Sequence, residues 1–227
     1  MAFLNDLKII TAIITVILSF IAGYIEIKKN PKYWLNRWFA LFYVSFAFGF
    51  LLYTLYHLFT THATWIIPTM ITAHALYNLG LISILMATFV LKHSEKVAMS
   101  PKYLGIAFIL FMILTIGYFI WMPVVNMENF NQGIVDTETP TGLFIVVNVL
   151  RVAIITYVLY NFGIIMQKAS GKSKERAQWF FGGSIVLLLG IFLNLFGGLL
   201  GSVLFEIFGL ISFDIGLAVT VKGFLIE

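Results

Sequence analysis

Hydrophobic and polar positions along this chain neither alternate nor form short amphipathic stripes; they separate into long apolar runs divided by brief polar connections. At 1.5 Å of rise per residue, a helix needs about 20 apolar residues to cross roughly 30 Å of hydrocarbon. Runs of that length lie at 7–27, 38–60, 65–91, 103–123, 142–168, 178–202 and 204–226. The pattern predicts an all-α membrane protein, a seven-transmembrane-helix bundle forming one domain over 1–227. Pro31, Pro68, Pro101, Pro123 and Pro140 all fall at or near the ends of these runs, where a missing amide costs little. Thr139, just before Pro140, reads as a helix cap.

Charge then orients the bundle. The first connection holds Lys28, Lys29, Lys32 and Arg37, the third Lys92, Lys96 and Lys102, and the fifth Lys168, Lys172, Lys174 and Arg176. The second has no Lys or Arg, and the fourth, 124–141, carries Glu128, Asp136 and Glu138 without a base. Basic connections mark the cytoplasmic side. The sequence therefore predicts a multi-pass protein of the cell membrane with its amino end outside and its carboxyl end inside. The excess of Lys and Arg over Asp and Glu is a topological signal, and no nucleic-acid partner is expected. The long fourth connection is long enough to fold over an outer mouth, although a solvated outer loop is the first reading.

Composition agrees, since 61% hydrophobic residues with 11% charged residues lies far from the soluble-domain average. The connections leave no room for a soluble domain, so any signalling output is expected from another chain or region. With no cysteine there is no disulfide, thiol chemistry or thiolate metal site. The run at 7–27 is longer than a signal-peptide core and is followed by Lys28, Lys29, Asn30 and Pro31, not by a small-residue cleavage pattern, so it reads as retained.

Glycine spacing predicts how the last two helices meet. Gly183, Gly190 and Gly197 recur every seven residues in the sixth run, as do Gly209, Gly216 and Gly223 in the seventh. Such a period keeps one narrow stripe on one face, and in lipid close backbone contact through small residues drives association. Asp214 lies roughly 200° round the helix from Gly216, so it points away from that seam toward another helix.

An unpaired aspartate at the centre of a spanning helix costs at least about 2.5 to 3.5 kcal/mol on insertion scales. Arg151 is the one other fixed charge read at comparable depth, so the two are expected to interact, directly or across a bound polar group. Counted from the helix ends, Arg151, Asp214, His74 and Asn194 all lie roughly 12 to 15 Å below the outer surface. Tyr77 and Asn78 share a face with His74; Tyr53, Tyr56 and His57 repeat that spacing; Asn148 stacks a turn above Arg151, and Glu206 lies at the rim. Two readings follow. One is an outward-facing ligand pocket formed by His57, His74, Tyr77, Asn78, Arg151, Asn194 and Asp214; the other is a self-satisfied network that holds helices together. Buried ion pairs are poor stability devices, which favours the pocket.

No paired-carboxylate, nucleophile-base or metal-ligand spacing appears, so the sequence predicts no catalytic residues, no metal, no cofactor and no enzyme. His57 and His74 alone are too few to indicate haem or a metal. Lys222 invites comparison with the retinal-bearing lysine of microbial rhodopsins, but the residue one turn after Asp214 is Ala218, and Lys222 lies two turns on, where snorkelling accounts for it.

Asn36-Arg37-Trp38-Phe39 and Arg176-Ala177-Gln178-Trp179, the latter followed by Gly182 and Gly183, together with the close from Gly216 to Ile226, resemble the amino-terminal seven-helix sensor region of prokaryotic membrane histidine kinases. The resemblance implies an input module that senses at the membrane, here without the kinase domain. The expected function is thus a membrane sensor or receptor-type input module, embedded in the lipid bilayer, binding a small polar or amphipathic ligand and acting on a cytoplasmic signalling partner or on subunits of a membrane complex. The glycine seam would slide to carry pocket occupancy from Asp214 toward Lys222. A small-solute or proton-coupled transporter is the main alternative, with a structural accessory subunit and a rhodopsin-like retinal protein behind it.

Overall fold

The computed structural model describes residues 2–59 and 62–226. Its long helices are α1 (Ala2–Lys29), α2 (Trp34–Leu58), α3 (Ile66–His93), α4 (Pro101–Ile120), α5 (Thr141–Lys168), α6 (Gly171–Leu200) and α7 (Val203–Phe224). Seven helices among the described residues are long and apolar enough to cross a membrane, in keeping with an all-α bundle.

Helices overrun the apolar runs wherever good helix formers continue them. α6 begins at Gly171, well before 178, because Lys172, Lys174, Glu175, Arg176, Ala177 and Gln178 all favour helix. α1 likewise starts at Ala2, before 7. α4 stops at Ile120, short of 123, with the amide of Trp121 closing on the carbonyl of Gly117. The second run's expected end, Thr60, lies outside the described residues. Thr139 is not the cap of α5: Pro140 occupies that position, and no side chain bonds the first turn.

Successive helices pack side by side, and α1 on α7 closes the ring. α3 sits furthest in, touching α2, α4 and α5, and it is the most buried of the seven. Outward faces carry exposed Ile10, Ile17, Ile109, Phe119, Leu189 and Phe208, a belt that hydrocarbon would cover.

α6 and α7 are joined by a turn of two residues. Gly201 adopts φ 61°, left-handed backbone open to glycine at no steric cost, and the amides of Gly201 and Ser202 both close on the carbonyl of Gly197. The helices then run antiparallel through the glycine stripe. A Cβ on Gly190 would lie 2.9 Å from the carbonyl oxygen of Gly209, and one on Gly209 would lie 2.9 Å from that of Gly190. Gly183 and Gly216 face each other in the same way, with separations of 2.6 and 2.9 Å.

The long connection departs from the solvated loop expected. Val124–Val125 (β1) pairs antiparallel with Thr137–Glu138 (β2), a short helical turn at Met127–Asn131 lies between them, and Asn126 caps that turn by accepting from the amide of Asn129. Ile134 and Val135 are 3% and 0% exposed, and Val125 and Phe130 pack beside the core. Burying those apolar side chains folds the loop onto the bundle. This is called the acidic end below, after Glu128, Asp136 and Glu138; the opposite end, where the lysine-bearing connections lie, is the basic end.

Candidate functional site

Two polar clusters occupy the bundle. The first is built around Asn78 in the middle of α3, a residue with no exposed surface. Its amide nitrogen donates to the carbonyl of Leu114 (2.9 Å) and lies 3.3 Å from the Thr115 hydroxyl, both on α4. Its amide oxygen accepts from Arg151 on α5 twice, from Nε at 3.1 Å and Nη2 at 2.8 Å. One side chain thereby ties three helices.

Arg151 also reaches His74, with Nη2 at 3.3 Å from Nδ1, so the imidazole presents that nitrogen as acceptor and carries its proton on Nε2. His74 stacks on Tyr118 with ring centroids 4.8 Å apart and planes 10° apart, which fixes its orientation. Tyr77, one helical turn away, meets His74 edge-on, and its hydroxyl is buried without a hydrogen-bond partner. Among the described residues the cations in salt bridges are Lys8 and Lys29; Arg151 has neutral partners alone. Two of its five N–H donors, those on Nη1, make no bond to a described residue.

The second cluster runs along α1. Lys8, 2% exposed, forms a 2.7 Å ion pair with Glu206 in the first turn of α7. Two turns further in, the Thr15 hydroxyl donates to Oδ1 of Asp214. Asn5 donates to the carbonyl of His57, and His57, 2% exposed, places Nδ1 2.9 Å from the carbonyl of Tyr53 in its own helix. The His57 ring lies against Tyr53 and Tyr56.

The seven residues singled out in the sequence therefore do not form one cluster. His74, Tyr77, Asn78 and Arg151 come together; Asp214 and His57 belong to the α1 cluster, on opposite sides of the Lys8–Glu206 pair. Asn194 is exposed on α6 and joins neither. The direct Arg151–Asp214 pair is not formed, because Asn78 takes the guanidinium and Thr15 takes the carboxylate. Asn148, read as stacking over Arg151, donates instead to the carbonyl of Phe144 in its own helix. Lys222 lies with its ammonium 4.0 Å from the ring centre of Trp179 at the basic end, and its side chain is exposed.

Sequence reasoning missed Lys8 by reading Arg151 as the sole deep partner for Asp214. The signal was present: Asn5, Lys8, Thr11, Thr15, Ser19 and Glu26 fall within about 120° of the helix circumference. A polar stripe of that regularity in an isoleucine-rich helix marks a face turned inward. No family model matches the chain, and no curated protein or solved structure matches it either.

Proposed function

We propose that this chain is a membrane sensor or receptor-type input module that binds a small polar or amphipathic ligand at the Arg151 cluster, reached from the acidic end. In this reading the acidic end faces outward and the basic end faces the cytoplasm, in keeping with the positive-inside bias.

The observation that carries the proposal is the state of Arg151. A guanidinium within a bundle normally faces a carboxylate or a water-filled cavity, because a charge without compensation in a low-dielectric interior is costly. Here Asn78 and His74 orient it without neutralising it, and two donors remain free. Such a fork suits a carboxylate or another acceptor-rich group, which would supply the missing charge. Tyr77, whose buried hydroxyl is unpartnered, meets the edge of the His74 ring, and the folded loop covers the end of the bundle. Resemblance to kinase sensor regions in the stretches Asn36–Phe39 and Arg176–Trp179 supports an input role, with output through a cytoplasmic or membrane partner.

Thermal-shift measurements with a panel of small carboxylates and amphipathic acids, run beside uptake into proteoliposomes, test the reading. Stabilisation by at least one ligand class, abolished in Arg151→Gln and unaccompanied by uptake, is the expected result. Uptake of the stabilising compound would make the chain a transporter. Absence of any ligand that discriminates the wild type from Arg151→Gln would leave the cluster as helix glue.

A further inference from the structure

Outside both polar clusters, an open groove of about 400 Å³ runs between α1 and α2 on the exposed flank of the bundle, toward the basic end. Side-chain size creates it. Phe20, Gly23 and Ile27 on α1 lie on one stripe at helical spacing, and Ala40, Leu41 and Val44 do the same on α2. Gly23 and Ala40 are buried and let the backbones approach: a Cβ on Gly23 would lie 3.1 Å from the side chain of Val44 and 3.5 Å from the carbonyl oxygen of Ala40. Larger side chains to either side then stand as walls. Toward the middle of the bundle Phe20 meets Phe48 edge-on, with ring centroids 5.4 Å apart. From Phe20 to Ile27 the groove covers roughly 10 Å at helical rise, about two thirds of one leaflet's share of the hydrocarbon.

The mouth of the groove is cationic. Arg37 is part of its lining. Its Nε donates to the carbonyl of Pro31 at 2.7 Å, and its guanidinium carbon lies 4.7 Å from the ring centre of Trp34, two contacts that hold the fork in place. Nη1 and Nη2 make no bond to a described residue. Lys28 extends over the ring of Tyr24, another lining residue, with Nζ 5.6 Å from its centre. Neither cation is in a salt bridge among the described residues. Glu26 is the one acid between Asp6 and Glu95 in the sequence, and it neutralises neither of them: it is 5% exposed and is taken by Lys29 and Asn36.

We infer that this groove is a binding site for one anionic phospholipid, whose acyl chain lies along the apolar walls and whose phosphate is held by Arg37 with Lys28 beside it. Charge complementarity selects that occupant. Two uncompensated cations at the mouth of an apolar groove match an amphiphile with an anionic group at one end and hydrocarbon behind it. A free phosphate would leave the walls uncovered, and a zwitterionic headgroup carries a cation of its own that the two basic side chains repel. The guanidinium offers a phosphate two parallel donors, and the lysine adds a point charge. Basic pockets between spanning helices on the cytoplasmic side are suited to anionic headgroups, and Tyr24 and Trp34 are the aromatic types that settle at headgroup level. The site is independent of the Arg151 cluster, so it stands whether or not that cluster binds a ligand.

The test is native mass spectrometry of the full chain released from micelles that contain equimolar phosphatidylglycerol and phosphatidylcholine. Preferential retention of one phosphatidylglycerol per chain is expected, with its apparent affinity falling at least about tenfold in Arg37→Gln, the loss that removal of a charge-assisted contact produces. Ile27→Trp, which fills the groove without altering a charge, is expected to weaken retention as well, and it serves if Arg37→Gln does not fold. Lys172→Gln, at an exposed cation of α6 at the same end of the bundle, should leave retention unchanged. Equal retention of the two lipids, equal losses in Arg37→Gln and Lys172→Gln, or retention that Ile27→Trp leaves intact would overturn the inference. Full competition by glycerol phosphate, which has the anion and no acyl chain, would overturn it too.

Discussion

Lys8 in the first helix and Glu206 in the last are joined by an ion pair of 2.7 Å, so the ring of helices is closed by a charge contact between its two ends. The lysine is almost wholly buried. Glu206 also stands in the first turn of α7, where the helix dipole favours a negative charge. Removing one member leaves the other charged and desolvated, at a typical cost of about 3 to 5 kcal/mol. Lys8→Met is therefore expected to lower the thermal midpoint in detergent markedly, and Lys8→Met with Glu206→Leu to recover much of the loss. Additive losses in the double variant would show that the two side chains act separately.

Neighbouring glycines in α6 should respond in opposite ways. Gly183 faces the carbonyl of Gly216 at a distance that leaves no space for a methyl group, whereas Gly182 has nothing within 4 Å of its would-be Cβ. Gly183→Ala is expected to destabilise by about 1 to 3 kcal/mol through overpacking. Gly182→Ala is expected to be neutral or stabilising by up to about 1 kcal/mol, because alanine is the better helix former. Equal effects of the two substitutions on thermal unfolding would argue against the seam.

The absence of cysteine makes topology directly measurable. Gln132→Cys in the folded loop should react with a membrane-impermeant thiol reagent applied to intact cells, and Lys172→Cys should react only after the membrane is opened. Labelling of both positions from one side would contradict the proposed orientation and the crossing of the membrane by α5.

The sequence showed the bundle clearly, because seven apolar runs and a lopsided distribution of lysine and arginine are long-range signals that tertiary packing cannot erase. The glycine stripe was legible for the same reason, since a seven-residue period in two adjacent helices implies a shared face. Partners were not. Arg151 and Asp214 have opposite charge and count to a similar depth along their helices, yet a residue count says nothing of azimuth, and each is taken by a neutral side chain on a closer helix. Asn194 fails likewise, since its side chain is exposed. The loop was misread because its few apolar residues, Ile134 and Val135, are too short a signal to distinguish a folded cap from a solvated connection.

Asn78→Asp separates the structural work of the α3 cluster from its proposed ligand. An aspartate at this position still accepts from Nε and Nη2 of Arg151 but supplies the missing negative charge, at the cost of the amide's donation to Leu114. Ligand-induced stabilisation should disappear in this variant while the protein remains folded. Asn78→Ala, by contrast, strips the guanidinium of its main acceptor and should destabilise the protein by about 1 to 3 kcal/mol. Retained ligand response in Asn78→Asp would place the binding site elsewhere.

The most direct measurement is a high-resolution density map of the protein purified from its native membrane without added ligand. Non-protein density is expected beside Arg151, within hydrogen-bond distance of Nη1. A map in which both Nη1 hydrogens are taken by protein groups, with packed side chains and no density between Arg151 and Tyr77, would contradict it.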